Sequence, residues 1–598
     1  MTMFQTFTEI ADPAKHPPRL AALRKLMAAD GLDAFLIPRA DAHQGEYVAD
    51  ADARLRWLTG FSGSAGQAIV TADRAGVFVD GRYRVQVKAE VDLAHFTPVP
   101  FPEVKPGDWL VEALPDGGRV GFDPWLHTHR EISDLRMRLD PEGIALVPVE
   151  NLVDRIWTDR PDSPVGQVRL HDDALAGETA AQKRAQIAAA LTDAGQGAAV
   201  ITLADSLAWL LNIRGADLPR NPVVLGFAVI DDSGAVQVFS DPAKFDETVR
   251  RHLGNAVSII HPAGFPAALA TLDGTVRVDP ATAPEAVFQI LTEQGTTVIP
   301  ADDPVVMPKA LKNAAEIEGM RAAHLTDGAV MARFLAWLDR TAPGGLTEID
   351  VTTRLEEMRR EAGILDISFD TIAGVGPHAA LPHYHVSEAS NLPLANGQVL
   401  LVDSGGQYPN GTTDITRTMA VGEMDPQVRD AFTRVLQGMI GVSRLRFPKG
   451  VSGRDLDPVA RAPLWVAGMD YDHGTGHGVG AALCVHEGPA RISRASEVPL
   501  AVGMILSNEP GYYREGAFGI RIENLLVVQP AESRDGRYML GFETLTLVPI
   551  DRRLIEAGML SGEERDWLNA YHAEVFARIS PLVDADTKAW LQTATAAI

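Results

Sequence analysis

Asp403 closes the run Val399-Leu400-Leu401-Val402-Asp403. A stretch that is apolar on both faces reads as a central strand, covered on both sides. A carboxylate buried there without a partner would cost roughly several kcal/mol, so the chain can adopt this strand only if something compensates the charge. Asp414 follows in a second β-like run, Thr412 to Met419, and Gly405-Gly406 with Pro409-Asn410-Gly411 read as the hairpin turn between them. A four-residue loop, Gln407 to Asn410, would set positions 403 and 414 opposite each other, with side chains about 5 Å apart on one face. Two opposed aspartates repel, and a dication between them removes the conflict.

Two more acids sit in the same kind of place. Glu509 follows the apolar strand Met504 to Asn508, and Glu523 lies within Phe518 to Val528. Strand alternation puts Ile520 and Ile522 on one face and Arg521 and Glu523 on the other. An Arg521–Glu523 surface pair is one reading; the apolar run after Glu523 favours burial. His473-Gly474-Thr475-Gly476-His477-Gly478-Val479-Gly480 has two histidines at i and i+4, but four glycines in eight residues make a helix untenable. The segment is therefore expected to be a loop whose backbone approaches a site closely while both imidazoles point at it. Its spacing fits neither glycine-rich phosphate-binding pattern. The candidate ligand set is Asp403, Asp414, His477, Glu509 and Glu523. Oxygen ligands with one imidazole suit Mn, Co or Zn better than thiolate-seeking metals. Four carboxylates also balance two dications, leaving room for a bridging water or hydroxide.

The rest of the chain bounds the context. Its 598 residues are about four times a common single-domain length, so two to four domains are expected. Hydrophobic residues at 46% and charged residues at 22% exclude disordered and fibrous classes. A formal net charge of −25 repels phosphate backbones and anionic lipid, so neither nucleic acid nor membrane is an expected partner. No run of apolar residues is long enough to span a bilayer. The N-terminus lacks the apolar core of a secretory signal, and the one cysteine, Cys484, permits no intrachain disulfide; both point to the cytoplasm.

Periodicity outlines the domains. Arg19 to Asp30 reads as a helix with Leu20, Leu23 and Leu26 on one face, Gly31 as its stop, and Ala34 to Ile37 as a buried strand. The same pattern returns at Arg184 to Ala194, Gly195 and Ala198 to Ile201, and Trp57-Leu58 is echoed by Trp209-Leu210. Two related α/β domains in tandem are expected, joined by the proline-containing linker Thr158 to Gly166. A second break near Pro300 to Pro308 precedes a long amphipathic helix bearing Ile317, Met320, His324, Gly328, Met331, Leu335 and Leu338, on which His324 reads as a packed core residue. The tail carries a capping box, Ser561 with Glu564, and a stripe of Trp567, Tyr571 and Val575.

With these residues in view, the chain resembles the pita-bread metallopeptidases, the family of methionine aminopeptidase, prolidase, aminopeptidase P and creatinase. Within it the three-domain, cytosolic-type X-Pro aminopeptidases are the nearer match. The stretches that carry the likeness are DAHQGEY (41–47), GFSGSAG (60–66), DGRY (80–83), NLVDRIWTDRP (151–161), NIRGAD (212–217), NGTTDITRTM (410–419), HGTGHGVG (473–480), VHEGP (485–489), NEPGYY (508–513) and GIRIEN (519–524). The resemblance implies an α/β (α+β) architecture. Creatinase-like domains at 1–158 and 159–304 would precede a pita-bread catalytic domain at 305–598 with a helical tail.

It also implies a reaction, hydrolysis of the bond between residue 1 and a proline at residue 2 of a peptide. Two divalent metals would serve it, Mn²⁺ first, with Co²⁺ or Zn²⁺ also suited. Glu509 would take the proton of the attacking water, and His383 and His486 would serve as further catalytic groups. His473, Tyr513 and Arg521 would stand on the substrate side, the last two orienting the carboxylates. His385 is a second histidine beside His383, and Tyr384, Tyr512 and Phe518 are candidate walls for a proline pocket. A homodimer is the family expectation. The rival readings are a prolidase restricted to dipeptides, a creatinase-like C–N hydrolase without metal, and a peptide-binding scaffold without catalysis.

Overall fold

The computed structural model describes residues 3–8, 12–342 and 344–598. They fall into two compact units, Ile10–Val306 and Met1–Glu9 together with Met307–Ile598.

The first unit repeats one topology. Helix α1 (His16–Ala29) is followed by β1 (Ala34–Pro38), β2 (Gln67–Thr71), β3 (Ala75–Val79), β4 (Thr97–Pro100), β5 (Gly118–Phe122) and β6 (Ile144–Pro148), in the sheet order β4-β3-β2-β1-β5-β6. Helix α2 (Ala180–Asp193) then precedes β7 (Ala198–Ile201), β8 (Phe227–Asp231), β9 (Val236–Phe239), β10 (Val257–Ile260), β11 (Thr275–Val278) and β12 (Thr297–Pro300), ordered β10-β9-β8-β7-β11-β12. The two orders are the same. Both helices run into a glycine at positive φ, Gly31 at 66° and Gly195 at 67°, where an L side chain would be strained. The buried stripe of α1 is Leu20, Leu23 and Met27, with Leu26 only partly covered. A step of three then four fits the 3.6-residue helical repeat better than the expected steps of three.

The second unit opens with α3 (Ala314–Thr341), whose N-terminus carries a capping box of Asn313 and Glu316. The expected stripe is its buried face, and His324 is a core residue with Nδ1 2.8 Å from the Met320 carbonyl. Phe4 and Gln5 also belong to this unit: their backbone N–H groups donate to the buried Glu356 carboxylate at 2.7 and 3.1 Å.

Strands β13 (Ile372–Val375), β14 (Gln398–Ser404) and β15 (Ile415–Val421) form a three-stranded sheet with β14 in the middle. After β16 (Arg446–Pro448) and helix α4 (Gly453–Trp465) come β17 (Gly476–Gly478), β18 (Glu487–Ile492) and β19 (Ile505–Asn508). The hairpin β20 (Gly511–Arg514) and β21 (Phe518–Arg521) leads to β22 (Asn524–Ala531) and β23 (Met539–Thr544). A six-stranded sheet has the order β16-β23-β22-β19-β17-β18. Helix α5 (Gly562–Ile579) covers the core, its capping box of Ser561 and Glu564 in place and the Trp567 and Tyr571 rings stacked at 5.3 Å. Among the described residues no helix is long and apolar enough to cross a membrane.

Two local expectations are corrected. The 403–414 hairpin turns on Pro409-Asn410 alone, because Tyr408 pairs with Gly411. Asp403 therefore faces Thr416, not Asp414. The slip is two residues, so Asp414 stays on the same face as a diagonal neighbour of Asp403. The ladder is interrupted at Gly405, where a Cβ would lie 1.9 Å from the Thr413 carbonyl oxygen. The second correction is His477, which lies on strand β17 and pairs with Arg491 rather than standing in a loop. Its flanking glycines make the strand possible: a Cβ on Gly476 would sit 2.0 Å from the Ser507 carbonyl, and one on Gly478 would sit 2.2 Å from that of Glu487.

Candidate active site

Strand ends deliver five side chains to one place. Asp403 is the penultimate residue of the buried β14, and Asp414 comes from the interrupted ladder opposite. His477 is the centre of β17, and Glu509 follows β19 directly. Glu523 stands between β21 and β22, held by its backbone N–H to the Thr416 carbonyl at 3.2 Å. Three overlapping groups result: Asp403, Asp414 and Glu523; His477, Glu509 and Glu523; Asp414, His477 and His486. Within each, one ligand atom per residue lies within 4.8 Å of the others. His477 Nε2 is 3.5 Å from Asp414 Oδ2 and 3.4 Å from Glu509 Oε1.

Electrostatics tests whether these groups fit a cation. Asp403 is pushed up to about 6 by burial and by Asp414, against the pull of Arg521. Burial and the charges of Asp414, Asp403 and Glu509 hold Glu523 well above the carboxylate range. Glu509 is also raised, by burial first. His477 moves the other way: burial alone would lower it, but its hydrogen bond to Asp414 and the Glu509 charge lift it to about 9. Asp403 Oδ1 is buried with no hydrogen-bond partner. Crowded acids with an orphaned oxygen and one imidazole are the donor set of a site for hard or borderline dications. The residues fit two such ions.

The neighbouring side chains orient the cluster. Arg521 is 2% exposed and donates from Nη2 to Asp403 Oδ2 at 2.6 Å, from Nη1 to the Tyr513 hydroxyl at 2.6 Å and from Nε to Thr416 Oγ1 at 3.1 Å. It pairs with Asp403 and not with Glu523, so the surface-pair reading fails. The Tyr513 hydroxyl also lies 2.8 Å from His473 Nε2, and burial pushes it up to about 12. His486 packs edge-on against His477 with ring centroids 4.2 Å apart. The loop carrying His383 is tied to the cluster through the Pro382 carbonyl, which accepts from Arg521 at 3.2 Å. His385 turns to Asp370, 3.8 Å away. Tyr384 is buried and donates to Glu348 at 3.0 Å, so its hydroxyl is committed within the fold, whereas Tyr512 and Phe518 face each other at 6.1 Å.

Two orienting residues were not anticipated. Thr416 donates to Glu523 Oε2 at 2.7 Å, and Ser507 donates to Glu509 Oε1 at 3.0 Å and accepts from the His477 N–H at 2.9 Å. A signal existed: each hydroxyl is two residues from an acid in a strand-like run, on the same face.

Comparison with known proteins follows the same lines. Residues 318–530 match the model for metallopeptidase family M24, and residues 538–598 match the C-terminal region of peptidase M24. Residues 19–156 and 159–316 each match a creatinase/prolidase N-terminal domain. Aminopeptidase P2 of Arabidopsis thaliana is 40% identical, over 96% of this chain and 87% of that protein. A probable Xaa-Pro aminopeptidase P of Paracoccidioides brasiliensis (strain Pb03) is 39% identical over 96% and 98% of the two chains. The solved structure of X-prolyl aminopeptidase from Caenorhabditis elegans is described as a cytosolic enzyme with a dinuclear active site. It superposes with a TM-score of 0.93 at 36% identity, covering 97% of this chain and 99% of that one.

Proposed function

The chain belongs to metallopeptidase family M24 in its X-Pro aminopeptidase branch, and from that premise we propose that it removes the first residue of peptides whose second residue is proline. The observation that carries the reading is the convergence of Asp403, Asp414, His477, Glu509 and Glu523 in a chain that matches those relatives over nearly its whole length.

These five residues would hold two divalent ions. When bound, the ions supply the Lewis acidity that activates water and polarises the scissile carbonyl. The chain's own groups do the rest. Glu509 lies among the ligands, its Oε1 steadied by Ser507, and takes the proton of the attacking water. The leaving group is a proline nitrogen without N–H, so it must be protonated from outside. His486, beside His477, and His383 supply donors for that nitrogen and for the charge developing on the carbonyl oxygen. His473 and Tyr513 form the substrate-side edge, joined to Asp403 through Arg521. The first two domains end at about residues 158 and 304, and the catalytic domain follows. Mn²⁺ is the proposed physiological ion, on the oxygen-rich shell. A homodimer and a reducing, cytoplasmic setting complete the proposal, the latter supported by the single cysteine.

The test is hydrolysis of Arg-Pro-Pro by metal-stripped protein before and after adding Mn²⁺, with Asp414→Asn alongside. Release of arginine that needs metal and disappears in the variant is the expected result. It excludes a strict dipeptidase and a metal-free hydrolase. Absence of release by folded, metal-loaded protein overturns the reading in favour of a peptide-binding scaffold.

A further inference from the structure

The segment that carries His473 and His477 is regular strand only at its end. Gly474 and Gly476 separate its functional residues, and β17 pairing begins only at Gly476. Order comes from helix α4, where Asp457 and Arg461 stand at i and i+4, 0% and 3% exposed. Arg461 donates from Nε to Asp457 Oδ2 at 2.8 Å and from Nη1 to the Tyr471 carbonyl at 2.7 Å and Asp470 Oδ1 at 2.8 Å. Its Nη2 donates to the His473 carbonyl at 2.6 Å. The guanidinium lies over the Tyr471 ring, 3.9 Å from its centroid. Asp457 Oδ1 accepts from Thr475 Oγ1 at 2.6 Å, and that hydroxyl is 2.5 Å from Tyr471 Oη. Residues 471, 473 and 475 are thus each pinned from behind.

What faces forward differs along the segment. His473 meets Tyr513 on the substrate side. The Thr475 carbonyl accepts the Glu509 N–H at 2.8 Å, and His477 follows two residues later. A buried guanidinium needs acceptors for its remaining N–H groups to offset desolvation, and here the acceptors are backbone carbonyls of the segment that carries the site.

We propose that Arg461 and Asp457 are positioning residues with divided roles: Arg461 sets His473 for the peptide, and Asp457, through Thr475, sets Glu509 and His477 for the metals. The division rests on the dinuclear aminopeptidase reading above. The experiment uses full-length protein, steady-state hydrolysis of Arg-Pro-Pro, and Mn²⁺ binding followed by titration calorimetry. Thr475→Val should weaken Mn²⁺ binding and lower kcat roughly 10- to 100-fold, with Thr475→Ser restoring both. Arg461→Lys keeps a charge against Asp457 but loses the planar fork that reaches Asp457 and both carbonyls at once, and should raise KM roughly tenfold with kcat nearly unchanged. Tyr471→Phe, which removes only a hydroxyl, is the milder probe and should move Mn²⁺ affinity in the same direction as Thr475→Val. Arg494→Gln removes the exposed second cation on Asp470, 2.6 Å away, and should change neither constant. Lower melting temperatures with wild-type KM, kcat and Mn²⁺ affinity would reduce the network to a structural one and overturn the inference. Wild-type protein without turnover would sink the aminopeptidase reading instead. The calorimetry of Thr475→Val and Tyr471→Phe would then still decide whether the network sets the metal site.

Discussion

Replacing Glu523 by Gln removes one charge from a group whose ligand atoms lie within 4.8 Å of those of Asp403 and Asp414. At that separation and an effective dielectric of about 20, each ionised pair costs about 3.5 kcal/mol. The metal-stripped protein escapes part of this by retaining protons, as the raised Glu523 and Asp403 carboxyls indicate. For Asp403, a rise from 3.8 to about 6, from burial first and the Asp414 charge after it, corresponds to about 3 kcal/mol against its charged form at neutral pH. Gln keeps an oxygen for the Thr416 hydroxyl and offers an amide N–H to the neighbouring acids. Stripped of metal at pH 7.5, Glu523→Gln should therefore be more stable than stripped wild type by about 1–3 kcal/mol. Saturating Mn²⁺ should reverse the order, because wild type gains about 4 kcal/mol at a thousandfold excess over Kd and the variant loses most of that gain. Thermal melts of both proteins, in chelator and in Mn²⁺, measure the four states. If the stripped variant melts below stripped wild type, the acids are not in conflict and the electrostatic case for two cations collapses.

Three further outcomes are expected. The raised Asp403 carboxyl stabilises the stripped fold below its unfolded value of 3.8, and that contribution is lost as pH rises through about 6. The melting temperature of stripped protein should accordingly decline across that window; a flat or rising profile in a melt series contradicts the argument. His486→Ala should lower kcat by roughly 10²–10³ while two Mn²⁺ remain bound, read by steady-state rates with elemental analysis. Loss of an ion alongside would move His486 into the metal shell with Asp414 and His477, whose ligand atoms lie within 4.8 Å of it. Ser507→Ala removes the donor to Glu509 and the acceptor for the His477 N–H, and should weaken Mn²⁺ roughly tenfold by calorimetry; unchanged affinity would show that the strand alone fixes both ligands.

The proposed ligands Asp403 and Glu509 stood out in the sequence because each breaks a local rule. An acid that ends an apolar strand is an anomaly at Asp403 and again at Glu509, and no local partner in the sequence resolves it. The tandem first domains were legible for a different reason: a helix, a glycine stop and a buried strand recur with the same residue types at positions 19–37 and 184–201. Register was not legible. Four-residue and two-residue turns both fit Gln407 to Asn410, and pairing across Pro409-Asn410 is decided by contacts far away. Tyr408 donates to Asp327 at 2.9 Å and Thr413 to the same carboxylate at 2.9 Å, a residue that α3 brings in from some eighty positions earlier.

Partners were least legible of all, because strand alternation says which face a side chain takes but not what waits there. Arg521 and Glu523 share a face, and sequence proximity invites pairing them; the fold instead gives Arg521 to Asp403 and Glu523 to Thr416. Both assignments depend on β15 lying alongside the β21–β22 connection, where Glu523 N–H bonds the Thr416 carbonyl and the Arg521 carbonyl accepts from Thr418. That crossing places a guanidinium behind one acid and a hydroxyl behind another while leaving Asp403 Oδ1 without a protein partner. A site designed only to neutralise its acids would have used the arginine on the most crowded of them. Here the cation is spent on orientation, and the uncompensated charge is left facing inward, where two dications can take it up.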